Sequence, residues 1–259
     1  MNELNEQDTP LKICYTIFHI DNQENHYRKK NIQLLHQALN ERFHYLETTT
    51  YKISNKTELK AFQKTKGKFK VKARLKFGEI GCFASNYYAW LQFLESPFDV
   101  LIVIEDDALP EADLESKIGA RLNEAPRDFD VVSLYVHPGK QFKYDAEVHD
   151  FGNETISKIY QNQSTLAYAI SKKGARKFID LVNQRIDNPF DLFLYDTAKS
   201  ANLYALKPEF DLLFSTTTLD DEGEVIREFT NIQHTEFTYT PCRMKIRQTV
   251  GRIIYPNGK

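Results

Sequence analysis

The amino-acid sequence predicts an α/β fold, a mostly parallel sheet flanked by helices, in one domain over residues 1–259 with a small irregular C-terminal part. Three observations predict it. Apolar runs too short for helices, such as Phe98 to Ile104 (FDVLIVI) and Phe129 to Val136 (FDVVSLYV), read as strands buried on both faces. Segments with apolar residues at spacings of three and four lie between such runs. The first elements read strand, helix, strand, the unit from which parallel sheets are built. A chain of 259 residues can bury such a core, and 41% hydrophobic with 27% charged residues excludes a disordered or collagen-like chain.

Taken in order, Leu11 to Ile20 (LKICYTIFHI) is rich in β-branched and aromatic residues and reads as a buried strand. A helix follows from about Tyr27, where Ile32, Leu35, Leu39 and Phe43 recur at helical spacing, and Phe43 to Tyr51 reads as the second strand. Lys60, Lys64, Lys66, Lys68, Lys70, Lys72, Arg74 and Lys76 then occur with no acid among them; this reads as a solvated loop, or as a patch for an anionic partner. Gly78 opens a helix whose stripe is Ile80, Phe83, Ala84, Tyr87, Leu91 and Leu94, and Pro97 stops it near Ser96. Phe98 to Ile104 is the next strand, and Pro110 is expected to start a helix carrying Leu114, Ile118 and Leu122. After the strand at Phe129 to Val136, Lys140 to Gln163 is polar and aperiodic and reads as an excursion over the sheet. Thr165 to Ile170 is a short strand, Ser171 caps a helix bearing Ala175, Phe178, Ile179 and Val182, and Phe190-Asp191-Leu192 follows an Asn-Pro turn as another short helix. Leu203 to Lys207 and Asp211 to Thr218 read as strands, and a basic tail occupies about 242–259.

The charge balance, 34 Lys+Arg against 36 Asp+Glu, supplies no global field for nucleic acid. No stretch approaches the roughly 20 apolar residues that span a bilayer. Cys14, Cys82 and Cys242 form neither a disulfide framework nor a zinc pattern and read as reduced thiols. The polar, acidic Met1 to Pro10 is the reverse of a secretion signal. The expectation is a cytoplasmic protein that touches the inner face of an anionic membrane through its basic segments.

The chemistry concentrates where the apolar strand runs into Glu105-Asp106-Asp107. Ligand sites of open α/β sheets lie beyond the carboxyl ends of parallel strands. Adjacent carboxylates repel one another, and a divalent cation with a preference for hard oxygen, Mg²⁺ or Mn²⁺, relieves that repulsion. Alternation along a strand places Glu105 and Asp107 on one side and Asp106 on the other.

Gly78-Glu79-Ile80-Gly81-Cys82, followed by Ser85 and Trp90, a strand and Glu105-Asp106-Asp107, resembles glycosyltransferase family 25, which includes lipooligosaccharide galactosyltransferases and whose hallmark is a GEIGC-x-x-SH-x-x-x-W helix before a strand ending in EDD. Thr165 to Ala175 is similar to the family's GTAAYIISRKGA segment, Pro189-Phe190-Asp191 to its PVD, and Asp21 and Arg28 lie where it has INLDRS-x-x-R. The likeness runs from Leu11 to about Pro208 and is densest from Gly78 to Asp107. Two departures stand out: Asn86 replaces the family's histidine, which removes a titratable group, and Asp21-Asn22-Gln23 replaces its DRS.

The resemblance implies a GT-A, Rossmann-like fold that binds a nucleotide-sugar. It implies a metal-dependent transfer of a hexose, galactose foremost, from a UDP-sugar to a saccharide acceptor, lipid-linked or free, in lipooligosaccharide or surface-glycan assembly. Carried over, Glu105 or Asp106 contacts the ribose or sugar, Asp107 binds Mn²⁺ or Mg²⁺, and Asp21 and Arg28 belong to the donor site, where Arg28 faces either the donor or a surface acid. For an inverting reaction Asp191 is the expected base, with Asp187 and Asp196 as rivals. Glu79 is expected to bind the acceptor or orient the sugar, and the late His234 to complete the metal site. A nucleotidyltransferase is disfavoured, because no glycine occurs between Asp21 and Arg28. The alternative is a non-catalytic carbohydrate- or lipid-binding protein on a decayed transferase scaffold, to which Asn86 lends weight.

Overall fold

The six residues Ile13–Phe18 form strand β1, and all six are buried. In the computed structural model they anchor one side of a sheet whose described residues are 10–20, 26–66, 70, 75–135, 143–144, 156–161, 165–184, 186, 188–197, 201–206, 213–215, 218–219 and 225–226. In chain order the elements are β1, α1 (His26–Leu39), β2 (His44–Tyr45), α2 (Lys56–Lys66), α3 (Phe77–Glu95), β3 (Val100–Glu105), β4 (Leu109–Pro110), α4 (Leu114–Glu124), β5 (Val131–Ser133), β6 (Lys143–Tyr144), β7 (Ile156–Gln161), β8 (Ala167–Ser171), α5 (Lys172–Gln184), α6 (Phe190–Leu192), a π-helical turn (Phe193–Thr197), β9 (Leu203–Leu206), β10 (Phe214–Ser215), β11 (Thr218–Leu219) and β12 (Val225–Ile226).

Eight strands pair in the order β2-β1-β3-β8-β5-β9-β7-β6. β2, β1 and β3 are parallel, as are β5 and β9, whereas β8 lies antiparallel between β3 and β5, and β7 antiparallel between β9 and β6. Six strands therefore run one way and only β8 and β7 run the other, which is the mixed, mostly parallel α/β sheet the sequence predicts.

Both faces are covered. Leu35 and Leu39 of α1 and Leu114, Ile118 and Leu122 of α4 pack with Tyr15, Ile17, Ile102 and Ile104 on one face. Phe83, Trp90 and Phe93 of α3 and Phe178 and Val182 of α5 pack with Cys14, Leu101, Val103 and Ile170 on the other. Coverage on both sides is why β3 reads as one unbroken apolar run. Helix α3 ends at Glu95 with Ser96 as its C-cap, as Pro97 requires. Ser171 caps α5 by accepting a hydrogen bond from the Gly174 N–H at 3.1 Å while donating to the Phe129 carbonyl at 2.7 Å.

Four stretches depart from expectation. The first part of the basic stretch is helical rather than a loop. Asn55 Oδ1 accepts the Thr57 and Glu58 N–H groups, Glu58 returns a bond to the Ser54 N–H at 2.6 Å, and this capping box starts α2. Phe62 then buries against Tyr51 and Tyr88, leaving Lys60 and Lys64 exposed. Pro110 lies in β4, paired with Phe214 of β10, so the helix begins four residues later, after Asp113 in a left-handed conformation. Beyond β2 the second strand is tied by side chains: the Thr16 and Thr48 hydroxyls meet at 2.6 Å, and the His19 N–H donates to Thr50 Oγ1 at 3.1 Å. The polar excursion contributes β6 and β7, which extend the sheet along β9 instead of lying over it, with Ile159 buried.

Candidate active site

β1 and β3 are parallel neighbours, with Phe18 paired to Glu105, so both carboxyl ends open at one place. From there the chain leaves β1 for β2 and leaves β3 for the opposite half of the sheet. A crevice at such a reversal is where open α/β sheets bind ligands.

Strand alternation separates the three acids. Asp106 turns inward and is 3% exposed. The Arg28 guanidinium, from the first turns of α1, donates to its Oδ1, and the His19 ring nitrogen Nδ1 lies 2.6 Å from its Oδ2. Asn31, one helical turn after Arg28, donates to the Asp106 carbonyl at 3.2 Å. A buried carboxylate needs such compensation. Of the two expectations for Arg28, the structure shows it paired with a protein acid, and that acid is Asp106 itself.

Glu105 faces the other way. The Thr165 hydroxyl donates to its Oε1 at 2.9 Å, across the antiparallel pair β3–β8. Burial first, and then the charge of Asp107, push its carboxyl up to about 8, against the Thr165 bond that favours ionisation. Cys82, on the first turns of α3, marks what else is close. Its thiol is raised by burial and then by the charges of Glu105, Asp191 and Glu79 in that order, so all three acids lie within electrostatic reach of it. Asp191 stands in the first turn of α6, where its Oδ1 accepts the Leu192 N–H at 2.9 Å. Glu79 accepts the Lys76 N–H at 2.5 Å and closes the first turn of α3. Glu79, Glu105, Asp107 and Asp191 thus share one electrostatic neighbourhood around Cys82, while Arg28, His19 and Asp106 form a separate compensated group.

Asp21, Asp187 and His234 lie outside the described residues, and Asp196 falls in the π-helical turn with its side chain outside them. Asn86 occupies a buried chain: Trp90 Nε1 donates to the Tyr168 hydroxyl at 3.1 Å, Tyr168 donates to Asn86 Oδ1, and Asn86 Nδ2 donates to the Cys82 carbonyl at 3.0 Å. Sequence reasoning missed Thr165 and Asn31. The helical spacing of Arg28 and Asn31 was a usable signal for Asn31; Thr165 opens a segment that resembles a family motif, but only the antiparallel pairing of β8 sets it against Glu105.

The glycines of the two motifs serve close approach. A Cβ on Gly81 would run into the Tyr51 carbonyl oxygen, and one on Gly174 into that of Asp130. Ser85 completes the first contact by accepting the Tyr51 N–H at 2.8 Å and donating to the Gly81 carbonyl at 2.9 Å.

As a metal site, the cluster offers the hard oxygens of Glu105 and Asp107, while both Asp106 oxygens are engaged. Among the described residues no three His, Cys, Asp or Glu side chains converge as a cage. The pair suits a cation that keeps water and substrate oxygens in its shell, as Mg²⁺ does; burial first and then the Asp107 charge raise Glu105, and such a cation would offset the second of these. No helix among the described residues is long and apolar enough to cross a membrane.

Comparison with known proteins agrees with the motifs. A glycosyltransferase 25 family member of Aedes aegypti is 31% identical over 109 residues, 42% of this chain and 18% of that protein. Procollagen galactosyltransferase 1-B of Xenopus laevis is 28% identical over 163 residues, 57% of this chain and 26% of that protein. A protein of Bos taurus described as "Probable inactive glycosyltransferase 25 family member 3" is 28% identical over 117 residues, 45% and 20%. The chain therefore spans about a quarter or less of the length of these relatives. Among solved structures, a glycosyltransferase involved in glycosylating the major capsid of PBCV-1 aligns at a TM-score of 0.36 with 10% identity over 66% of each chain. Mannose-1-phosphate geranyltransferase from Thermus thermophilus aligns at 0.44 with 8% identity over 79% of this chain and 75% of that one. The sequence profile described as glycosyltransferase family 25 (LPS biosynthesis protein) matches residues 15–194, and with that span covered the chain belongs to glycosyltransferase family 25.

Proposed function

We propose that this chain is a metal-dependent glycosyltransferase that moves a hexose from a UDP-sugar to a saccharide acceptor with inversion at the anomeric carbon. The observation that carries the reading is the run of acids at the carboxyl end of a strand buried on both faces, where the charges of Glu105 and Asp107 act on each other and those of Glu79 and Asp191 reach the neighbouring Cys82. Glu105 and Asp107 would hold Mn²⁺ or Mg²⁺, whose chemistry is to neutralise the charge that develops on a departing diphosphate. Asp191 takes the proton of the acceptor hydroxyl as that oxygen bonds to the anomeric carbon. The bond from that carbon to the diphosphate oxygen breaks, and its electron pair leaves with UDP. Glu79 orients the sugar or the acceptor. Galactose is favoured because relatives carry the name procollagen galactosyltransferase, and a lipooligosaccharide or surface-glycan acceptor because of the family's description. The exposed Lys60 and Lys64 of α2 fit peripheral contact with an anionic membrane, on its cytoplasmic side.

A second reading, a non-catalytic carbohydrate- or lipid-binding protein, is favoured by Asn86, which cannot titrate and is locked into the Tyr168–Cys82 chain. The Bos taurus relative described as inactive points the same way. A thermal-shift panel of UDP-, GDP- and CMP-sugars, each with and without Mn²⁺, followed by a UDP-release assay, separates the two. The transferase reading expects a UDP-sugar to raise the melting temperature only with the cation, and UDP to be released. Binding of UDP without turnover of any nucleotide-sugar supports the second reading. Binding of no nucleotide overturns the first.

A further inference from the structure

We propose that His19 is the donor-facing end of the buried pair it forms with Asp106, and that its Nε2 accepts a hydrogen bond from a ribose hydroxyl of the bound nucleotide. This rests on the nucleotide-sugar reading above and names a residue and a contact that reading does not supply.

Asp106 is held by Arg28, His19 and Asn31 and is 3% exposed, so it is sealed from the crevice. The His19 side chain is 21% exposed. It sits one residue beyond β1, beside Glu105 through the Phe18–Glu105 pairing, at the reversal point between β1 and β3. Of the side chains that hold Asp106, the imidazole is the most exposed.

Backbone and ring are each held at one point. The His19 backbone N–H donates to Thr50 Oγ1 at 3.1 Å, and the ring nitrogen Nδ1 lies 2.6 Å from Asp106 Oδ2. A carboxylate only accepts, so Nδ1 carries the proton, and in the neutral ring Nε2 presents a lone pair. That nitrogen is out of contact with bulk solvent and has no hydrogen-bond partner among the described residues. A structural histidine at a strand end would be satisfied at both nitrogens or would leave the second in water; an enclosed, unpartnered acceptor calls for a ligand donor. Phosphate oxygens bring no proton to donate, whereas a ribose brings two hydroxyls. The Arg28 charge is spent on Asp106, so the pair adds no net charge beside the diphosphate.

The test is calorimetric titration of the full chain with UDP, 2′-deoxyUDP and 3′-deoxyUDP in the presence of Mn²⁺, for the wild type and for His19→Asn. The Asn amide nitrogen retains the bond to Asp106, and the Nε2 acceptor is lost. The wild type should lose about tenfold in affinity for one of the two deoxy nucleotides, and His19→Asn should lose about tenfold for UDP but nothing further for that same deoxy nucleotide. The inference is overturned if the wild type binds both deoxy nucleotides as well as UDP, a measurement that needs no variant. It is also overturned if His19→Asn weakens all three ligands equally. A wild type that binds none of the three nucleotides overturns the UDP-sugar reading and this inference together; binding of UDP with no deoxy effect overturns this inference alone.

Discussion

Replacing Asp106 with asparagine asks whether the middle acid of the triplet is a ligand or a structural counter-ion. The Arg28 side chain is 7% exposed and that of Asp106 5%, so the substitution leaves a guanidinium buried without its charge partner. Breaking a buried ion pair by removing one member costs about 3–5 kcal/mol. The asparagine oxygen still accepts from Arg28, which places the expected loss near the lower figure. For a chain of this size about 1 kcal/mol shifts the melting temperature by roughly 2–4 °C, so Asp106→Asn should melt roughly 6–12 °C below the wild type. Scanning calorimetry at fixed pH measures the shift. The double variant Arg28→Met, Asp106→Leu should recover most of it, because a well-packed apolar pair avoids the desolvation that the lone cation suffers. A single variant that melts within about 2 °C of the wild type while losing Mn²⁺ affinity would refute the argument, since that pattern belongs to a metal ligand in an open crevice.

Two further outcomes follow from the same geometry. Gly81→Ala forces a methyl into the Tyr51 carbonyl and should destabilise by about 1–3 kcal/mol in urea unfolding; unchanged stability would show that residues 51–53 do not pack on α3 as described. Glu105, raised from its ordinary value of 4.5 to about 8, holds a proton in the folded chain that it loses in the unfolded one. Its contribution is fully present below pH 4.5 and is lost as pH rises toward 8, so without a divalent cation the wild type should lose stability over that window relative to Glu105→Gln. Parallel pH–stability curves for the two proteins would contradict the enclosure of Glu105 beside Asp107.

Much of the frame was legible in local pattern. β3 announced itself because a strand covered on both faces must be apolar at every position, and α5 because Ser171 and the Ala175–Phe178–Ile179–Val182 stripe coincide. The helical α2 was legible too, through the Asn55–Glu58 capping box, but lysine density masked it. β4, β6 and β7 were not: β4 and β6 are two residues each, β4 pairing with a partner a hundred residues on, and β7 (ISKIYQ), though six residues long and paired on both sides, lacks the alternation that marks a strand.

For the site, the sequence by itself determined the ingredients: three consecutive acids at the end of an apolar strand, a motif helix opening with Gly78 and Glu79, and Asp191 behind a proline. Strand alternation already implied that Asp106 would face away from its neighbours. Only the tertiary structure decided what Asp106 faces. The parallel pairing of β1 with β3 brings His19 and the N-terminal turns of α1 over the turn after β3, and burial there requires that the Asp106 charge be answered by Arg28. Likewise, the antiparallel insertion of β8 sets Thr165 on Glu105, and the packing of α3 and α6 brings the charges of Glu79 and Asp191 within reach of one thiol. These are distances between residues far apart in the chain, set by which faces must be buried together, and no local periodicity encodes them.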